Sequence, residues 1–180
     1  MTATAPMTVE EFVQWDAPEG HSYELVDGEP VRMSSPAPLH NIVTARLLYL
    51  LWRYFERDPS GGAIAETDCR VSAKNVRRPD LSIFVAEEWR RLDLKRAPTP
   101  APTIAVEVLS PTDLATEVVR KVREYLSAGS QEVWVLDPEN GEVQVRTQSG
   151  IRLLEGSAAL DTPLLPGFSA PATELLAGRQ

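Results

Sequence analysis

The stretch from residue 103 to residue 109 constrains the fold more than any other part of the chain. Its sequence, TIAVEVL, is almost entirely apolar and rich in β-branched side chains, and Glu107 is its single charged residue. Such runs are typical of strands that are buried on both faces, in sheets covered by helices. Residues 132–136 form a second run of this kind. We therefore predict an α/β fold in which helices flank a mixed sheet.

Local patterns predict the elements of the N-terminal half. Thr8 and Glu11 have the spacing of a capping box, which favours a short helix, and Asp27-Gly28 favours a tight hairpin turn. Apolar residues then recur at helical spacing, and two strands should follow. The predicted elements are a helix over 8–15, a hairpin of 23–26 and 29–33, a helix over 38–57, and strands over 63–72 and 80–85.

The C-terminal half alternates a helix with strands and ends in an ordered tail. The proline-rich residues 97–102 lack amide donors, so we predict a loop there and no central strand. A helix should begin at Ser110-Pro111-Thr112 and end before Gly129, which suits a helix C-terminus. The other predicted elements are a short helix over 87–92, a hairpin of 142–146 and 151–154, and a short helix near Leu175.

Composition limits the size, location and partners of the protein. A chain of 180 residues fits one domain, which we place at 1–180. The apolar runs are too short to cross a membrane, and a lone Cys69 offers no disulfide framework, so we expect a cytoplasmic protein with no membrane partner. The net charge of −8 argues mildly against a nucleic-acid partner, which usually requires a basic face. We interpret most of the local arginine and lysine pairs as solvated surface charge.

Glu107 and Asp80 are the acidic residues that stand out. An ionised carboxylate inside a buried strand is costly unless it is paired, bound to a metal or at the end of the strand. Asp80 follows Pro79 and precedes an apolar run, so it should lie where a strand begins and a side chain can reach a cleft. Both residues also have structural interpretations. Glu107 could be salt-bridged or exposed at a strand end, and Asp80 could cap a turn.

Lys121 is the strongest single signal. The predicted helix has an apolar stripe of Leu114, Val118, Val122 and Tyr125. At helical spacing Lys121 lies roughly 20° from Leu114, within that stripe, so its ammonium needs a carboxylate or a cleft. The alternative is that its aliphatic stem packs and the charge reaches solvent. Two carboxylates could share Mg²⁺ or Mn²⁺, which would activate a water to hydrolyse a phosphodiester, and the ammonium could orient that water or balance the charge of the transition state.

Motifs along nearly the whole chain resemble the Uma-type family of restriction endonuclease-like bacterial proteins, in the PD-(D/E)xK nuclease superfamily. The segments that carry the resemblance are 7–12, 23–29, His40, 78–81, 106–111, Lys121 with Tyr125, and 163–167. The resemblance implies a restriction-endonuclease-like core with Asp80 and Glu107 as metal ligands. The superfamily lysine position is Leu109 here, which we expect to be buried, and Lys121 would supply the catalytic cation from the next helix.

The same resemblance implies that Glu24 and His40 are further residues of the catalytic site. Glu24 lies in the Tyr-Glu-Leu-Val-Asp-Gly stretch and would be a further acidic residue of the catalytic site, although a solvent-facing hairpin glutamate is an equal alternative. His40 lies near the start of the long helix and would face a cleft, although a lone histidine there is often structural.

We therefore predict a magnesium- or manganese-dependent endonuclease that acts on nucleic acid, with DNA as the expected substrate. A small acidic nuclease core could use a second copy to complete its binding surface, so a homodimer is a further expectation. The alternative is a catalytically silent regulatory or interaction module that retains the nuclease fold. In such a module the carboxylates and Lys121 would form a buried ion cluster.

Overall fold

The computed structural model of the protein describes residues 6–178. The first and last few positions of the expected domain, 1–5 and 179–180, lie outside the described residues. The helices are α1 (Val9–Gln14), α2 (Pro38–Phe55), α3 (Ala86–Arg91), α4 (Ala115–Ser127) and α5 (Ala172–Leu176). The strands are β1 (Tyr23–Val26), β2 (Glu29–Arg32), β3 (Gly61–Ala65), β4 (Cys69–Arg70), β5 (Val76–Arg77), β6 (Leu81–Val85), β7 (Thr99–Pro100), β8 (Ile104–Val108), β9 (Glu132–Asp137), β10 (Glu142–Thr147), β11 (Gly150–Glu155), β12 (Ala159–Asp161) and β13 (Ser169–Pro171).

A six-stranded mixed sheet forms the centre of the molecule, in the order β11-β10-β9-β8-β6-β3. Strands β8 and β9 are parallel, and the other neighbours in this sheet are antiparallel. Successive side chains of a strand point to opposite faces. On β8, Ile104 and Val106 pack into the core that contains α2, whereas Ala105 packs into the core that contains α4. The same alternation turns Glu107 toward α4.

A smaller sheet lies beside the first, in the order β2-β1-β5-β4-β7. Its β1–β2 hairpin turns at Asp27, which has a φ of 53°, and Gly28, which has a φ of 85°. Glycine tolerates this left-handed conformation without strain. A two-stranded sheet of β12 and β13 completes the fold near α5. The predicted mixed sheet flanked by helices is confirmed.

Most of the predicted elements are present, and two of the early predictions hold in detail. The Thr8 hydroxyl accepts a hydrogen bond from the Glu11 amide while the Glu11 carboxylate accepts one from the Thr8 amide, as a capping box requires. The hairpin of β1 and β2 has the predicted turn. Within residues 6–178, no helix is long and apolar enough to cross a membrane.

Three predicted boundaries were wrong. Residues 63–72 do not form one strand, because Glu66 adopts a left-handed φ of 48° and the chain passes from β3 in the large sheet to β4 in the small one. The proline-rich loop contributes the short strand β7, which lies at the edge of the small sheet, where a missing amide donor is tolerated. Helix α4 begins at Ala115, later than predicted.

Candidate active site

Asp80 and Glu107 lie side by side at one end of the large sheet. Strands β6 and β8 are antiparallel, and Leu81 pairs with Val106. Continuing that register by one residue places Asp80, just before β6, opposite Glu107. The Val108 amide donates a hydrogen bond of 2.6 Å to Oδ2 of Asp80, which fixes the aspartate against the end of β8. The two carboxylates therefore stand together, as their sequence positions predicted.

Helix α4 holds both oxygens of the Glu107 carboxylate. Lys121 Nζ lies 3.0 Å from Oε2, and the Tyr125 hydroxyl donates a hydrogen bond of 2.6 Å to Oε1. Lys121 and Tyr125 are one helical turn apart, so they point to the same side of α4. Glu107 is only 8% exposed, and this pairing offsets the cost of burying its charge.

The inward direction of Lys121 is confirmed, although part of the reasoning behind it was wrong. Leu114 was taken as a member of the apolar stripe, but it is the N-cap residue of α4 and is 66% exposed. Its position before the first turn explains the error, because helical spacing does not apply there. Val122 and Tyr125 are buried as predicted, and they suffice to turn Lys121 toward the sheet.

Glu24 lies on β1 with both of its carboxylate oxygens engaged. Oε1 lies 3.2 Å from Lys121 Nζ and accepts a hydrogen bond of 3.0 Å from the Arg78 amide. Oε2 accepts a hydrogen bond of 2.8 Å from Arg77. Glu24 is buried, so the solvent-facing alternative is wrong. Lys121 therefore has a second carboxylate within ion-pair distance besides Glu107.

His40 is buried near the start of α2 and contacts Asp80. Its Nε2 lies 3.0 Å from Asp80 Oδ1, and its Nδ1 lies 3.4 Å from Asn41 Oδ1. Burial lowers the pKa of His40, but the hydrogen bond and charge of Asp80 outweigh burial and hold the pKa above its ordinary value. A histidine with a raised pKa beside a carboxylate can fix the orientation of that carboxylate.

The two charged groups at the centre of this arrangement have shifted pKa values. Burial raises the pKa of Glu107 to about 7 against the opposing charge of Lys121, and neighbouring Asp80 adds to the rise. Burial would lower the pKa of Lys121, but Glu107 and Glu24 raise it above its ordinary value. Lys121 is therefore protonated at neutral pH. The neighbouring carboxylates of Glu107, Glu24 and Asp80 repel one another, and a bound cation would relieve that repulsion.

These side chains line one cleft, of about 560 Å³, between the β1–β2 hairpin and the start of α4. Glu24, His40, Asp80, Glu107 and Lys121 all contribute to its wall. Leu109 also lines the cleft and is half-buried, so the expectation that it would be buried was wrong. Leu109 follows the last residue of β8 and packs partly against the core beneath α4, while the cleft exposes the rest of its side chain.

The comparison with known families identifies the fold and its relatives. Residues 9–173 match the Uma2 family, whose description is "Putative restriction endonuclease". The chain belongs to this family. It also resembles the crystal structure of a protein from Anabaena variabilis ATCC 29413, described as "a putative nuclease belonging to DUF820". The TM-score is 0.82 at 21% identity, covering 95% of this chain and 98% of that chain. No curated protein matches this chain.

Sequence reasoning about this Uma2 protein missed Arg77 and Glu124. Arg77-Arg78 is one of the local basic pairs, most of which were expected to be solvated surface charge, but Arg77 is 2% exposed and bound to Glu24 and Glu124. Tyr125 was taken as an apolar stripe residue, and its hydroxyl contact with Glu107 was not anticipated. No sequence signal marked Arg77, because it lies in the polar stretch 73–79 between two predicted strands.

The donor chemistry of the site fits a hard divalent cation such as Mg²⁺. Within residues 6–178, no group of three or more His, Cys, Asp and Glu side chains is arranged to hold a metal ion. Mg²⁺, however, is commonly held by one or two carboxylates, with waters and substrate phosphates as its other ligands. Each oxygen of Glu107 accepts one hydrogen bond and keeps a second lone pair. Asp80 and Glu107 are thus the residues that would hold the ion.

Proposed function

We propose that this Uma2 protein is a metal-dependent endonuclease that hydrolyses phosphodiester bonds in DNA. One observation carries the proposal. The carboxylates of Asp80 and Glu107 lie together at the ends of adjacent strands, and the ammonium of Lys121 is 3.0 Å from Glu107. Membership in a family whose description is "Putative restriction endonuclease" supports the same reaction class.

Each side chain has a role in this reaction. Mg²⁺ or Mn²⁺ held at the site would polarise the phosphodiester and lower the pKa of a water molecule. Asp80 and Glu107 hold the ion, and His40 orients Asp80 through the 3.0 Å contact with Oδ1. Lys121 remains protonated, so it stabilises the negative charge that develops on the phosphoryl oxygens in the transition state.

The rim of the cleft supports a nucleic acid as the substrate. Arg32, Arg78 and Arg120 contribute to its wall, and Arg32 is exposed. Arginine binds phosphate oxygens with its planar guanidinium group. Arg78 is paired with Asp68, and Arg120 with Asp27 and Glu124, so Arg32 is the one of the three that best offers positive charge to a phosphate. The affinity for DNA should therefore depend on the bound metal ion as well as on the arginines.

Calorimetric titration with Mn²⁺ tests the metal site before any substrate is known. Wild type should bind the ion, and Glu107→Gln should bind it at least about tenfold more weakly, because one ligand loses its charge. The matched control is Glu132→Gln. Glu132 is also 8% exposed, but its carboxylate is bound by Trp134 and Thr162 outside the cleft. Equal affinity in all three proteins would contradict the proposed site.

The second candidate is the catalytically silent module, and one observation favours it. Both oxygens of Glu107 already have partners, Lys121 and Tyr125, so the charges can satisfy one another in the absence of metal. The acidic net charge points the same way. The calorimetric titration separates the two candidates, since a silent module would show no heat of Mn²⁺ binding.

The proposal extends to the organisation and location of the protein. We propose a single domain over 1–180, because α2 packs on the large sheet and α4 joins both sheets. Chemical denaturation should then show one cooperative transition. A cytoplasmic location agrees with a buried, free Cys69.

We also propose a homodimer, in which a second copy enlarges the binding surface of a small acidic protein. Sedimentation equilibrium would show twice the monomer mass if this is so, and a monomer at micromolar concentration would contradict it.

A further inference from the structure

Arg77 is a buried arginine at the wall of the cleft, and the proposed reaction gives it no role. Its side chain is 2% exposed and lies on β5 in the smaller sheet. A buried guanidinium is costly unless its donors are matched by acceptors. Arg77 meets this need with two glutamates from different elements, Glu24 on β1 and Glu124 on α4.

The contact with Glu124 is bidentate. Nε of Arg77 donates to Oε2 of Glu124 at 2.5 Å, and Nη2 of Arg77 donates to Oε1 of Glu124 at 3.1 Å. Two parallel hydrogen bonds fix both the distance and the plane of the partners. Asn75 and Arg120 donate to Oε1 of Glu124 as well, at 3.0 and 2.9 Å. The side of α4 that carries Glu124 is therefore held firmly against the smaller sheet.

The remaining arm of the guanidinium reaches toward the cleft. Nη1 of Arg77 donates to Oε2 of Glu24 at 2.8 Å, and the other oxygen of Glu24 lies 3.2 Å from the ammonium of Lys121. Lys121 and Glu124 are one helical turn apart on α4. Arg77 thus fixes Lys121 by two routes, through the Glu24 carboxylate and through the helix that carries the lysine.

We propose that Arg77 is a positioning residue that holds the Lys121 ammonium in place, acting through Glu24. The inference concerns the same site as the proposed endonuclease and rests on it for its catalytic meaning. The bidentate pair with Glu124 uses Nε and Nη2 of the guanidinium and leaves Nη1 for another acceptor. The arm directed at Glu24 links Arg77 to the carboxylate that contacts Lys121.

Lysine reactivity tests the positioning without any need for catalysis. The lysines of this chain are Lys74, Lys95 and Lys121, so trace acetylation followed by mass spectrometry reports each of them separately. Lys74 and Lys95 are exposed and serve as internal references. Arg77→Lys keeps the positive charge but loses the planar guanidinium that binds Glu24 and Glu124 together. Lys121 should then be held less firmly, and its labelling should rise several-fold relative to both references.

The matched control is Arg46→Lys. Arg46 is another arginine with partly buried contacts, and it donates to the carbonyl oxygens of Leu175 and Ala177 away from the cleft. This variant should leave the labelling of Lys121 unchanged. If Arg77→Lys does not fold, Arg77→Gln replaces it, because it keeps a hydrogen-bond donor while losing the charged guanidinium that binds Glu24. Unchanged Lys121 labelling in the folded variant overturns the proposal.

Kinetics supply the second measurement. Arg77→Lys should lower kcat for plasmid nicking on the order of tenfold and leave the Kd for Mn²⁺ within about twofold, because Asp80 and Glu107 remain in place. In a Glu24→Gln background the same substitution should cause a clearly smaller loss than in the wild-type background, since only the route through Glu124 remains to be broken. If the two substitutions lower kcat by independent factors that multiply in the double variant, the proposed path from Arg77 through Glu24 to Lys121 is contradicted. A wild-type protein that neither binds Mn²⁺ nor nicks DNA overturns the proposed function, whereas the labelling result still decides whether Arg77 positions Lys121.

Discussion

The ammonium of Lys121 lies 3.0 Å from Oε2 of Glu107, and this contact joins helix α4 to strand β8. Tyr125 donates to the other oxygen of the same carboxylate, so one helix holds Glu107 from both sides. Asp80 stands beside it on the neighbouring strand. The proposed chemistry depends on this group, because it places a fixed cation next to a pair of crowded carboxylates.

The affinity for Mn²⁺ should rise with pH. Burial raises the pKa of Glu107 to about 7, so a proton competes with the metal at neutral and acidic pH. Below that value the apparent association constant should fall by up to about tenfold per pH unit, and above it the affinity should level off. Calorimetric titrations at several pH values measure this dependence. An affinity that is constant from pH 6 to pH 8 would contradict the assignment of Glu107 as a ligand.

Glu24→Gln should destabilise the protein in a way that depends on pH. Burial opposes ionisation of Glu24, but the charges of Lys121 and Arg77 outweigh it and hold its pKa below the ordinary 4.5. The ionised carboxylate therefore stabilises the fold above that pH, and the stabilisation is lost as pH falls through the folded-state pKa. We expect the variant to lose on the order of 2 kcal/mol of unfolding free energy at pH 7.

Urea denaturation of both proteins at several pH values tests this expectation. The difference in unfolding free energy between wild type and Glu24→Gln should shrink as pH falls below the ordinary pKa of glutamate. A difference that grows toward acid pH would show that Glu24 is not ionised in the folded protein.

Leu109→Lys should destabilise the protein without activating it. Leu109 is half-buried and packs against the core beneath α4 while lining the cleft. The new ammonium can reach solvent through the cleft, so we expect a loss of only about 1 kcal/mol, from packing. Leu109→Met is the control for shape alone. An increase in nicking rate in the lysine variant would mean that the cation of this site belongs on β8.

Much of the fold could be predicted from the sequence because its signals are local. The capping box of Thr8 and Glu11, the Asp27-Gly28 turn and the apolar run of β8 each specify structure within a few residues. Asp80, Glu107 and Lys121 could be singled out because each breaks a local rule: two are carboxylates at buried strands and one is a lysine on an inward helix face.

The parts that could not be predicted depend on distant contacts. Arg77 is charged and adjacent to Arg78, and only the folded chain shows that Glu24 and Glu124 enclose it. The break between β3 and β4 at Glu66 likewise arises because the chain passes from the large sheet to the small one, and no local sequence pattern predicts that passage. The start of α4 was placed too early because Ser110-Pro111-Thr112 looks like a helix start, although the helix begins at Ala115.

Lys121→Ala separates a catalytic cation from a structural counter-ion. If the charge acts on the transition state, its loss should appear mainly in the rate, with a cost of about 3 kcal/mol or more in activation free energy. If Lys121 only balances Glu107 and Glu24, the substitution should instead lower the melting temperature by leaving two buried carboxylates without their shared partner. Circular dichroism and Mn²⁺ calorimetry on the variant distinguish these effects.

Manganese-supported nicking of plasmid DNA tests the central claim most directly, with wild type, Lys121→Ala and Glu107→Ala measured side by side. The account predicts that wild type nicks the plasmid, that Glu107→Ala does not, and that Lys121→Ala loses nicking while it keeps its fold and most of its Mn²⁺ affinity. Unchanged cleavage by Lys121→Ala beside an inactive Glu107→Ala would contradict the role of Lys121, and no cleavage by wild type would favour the silent module.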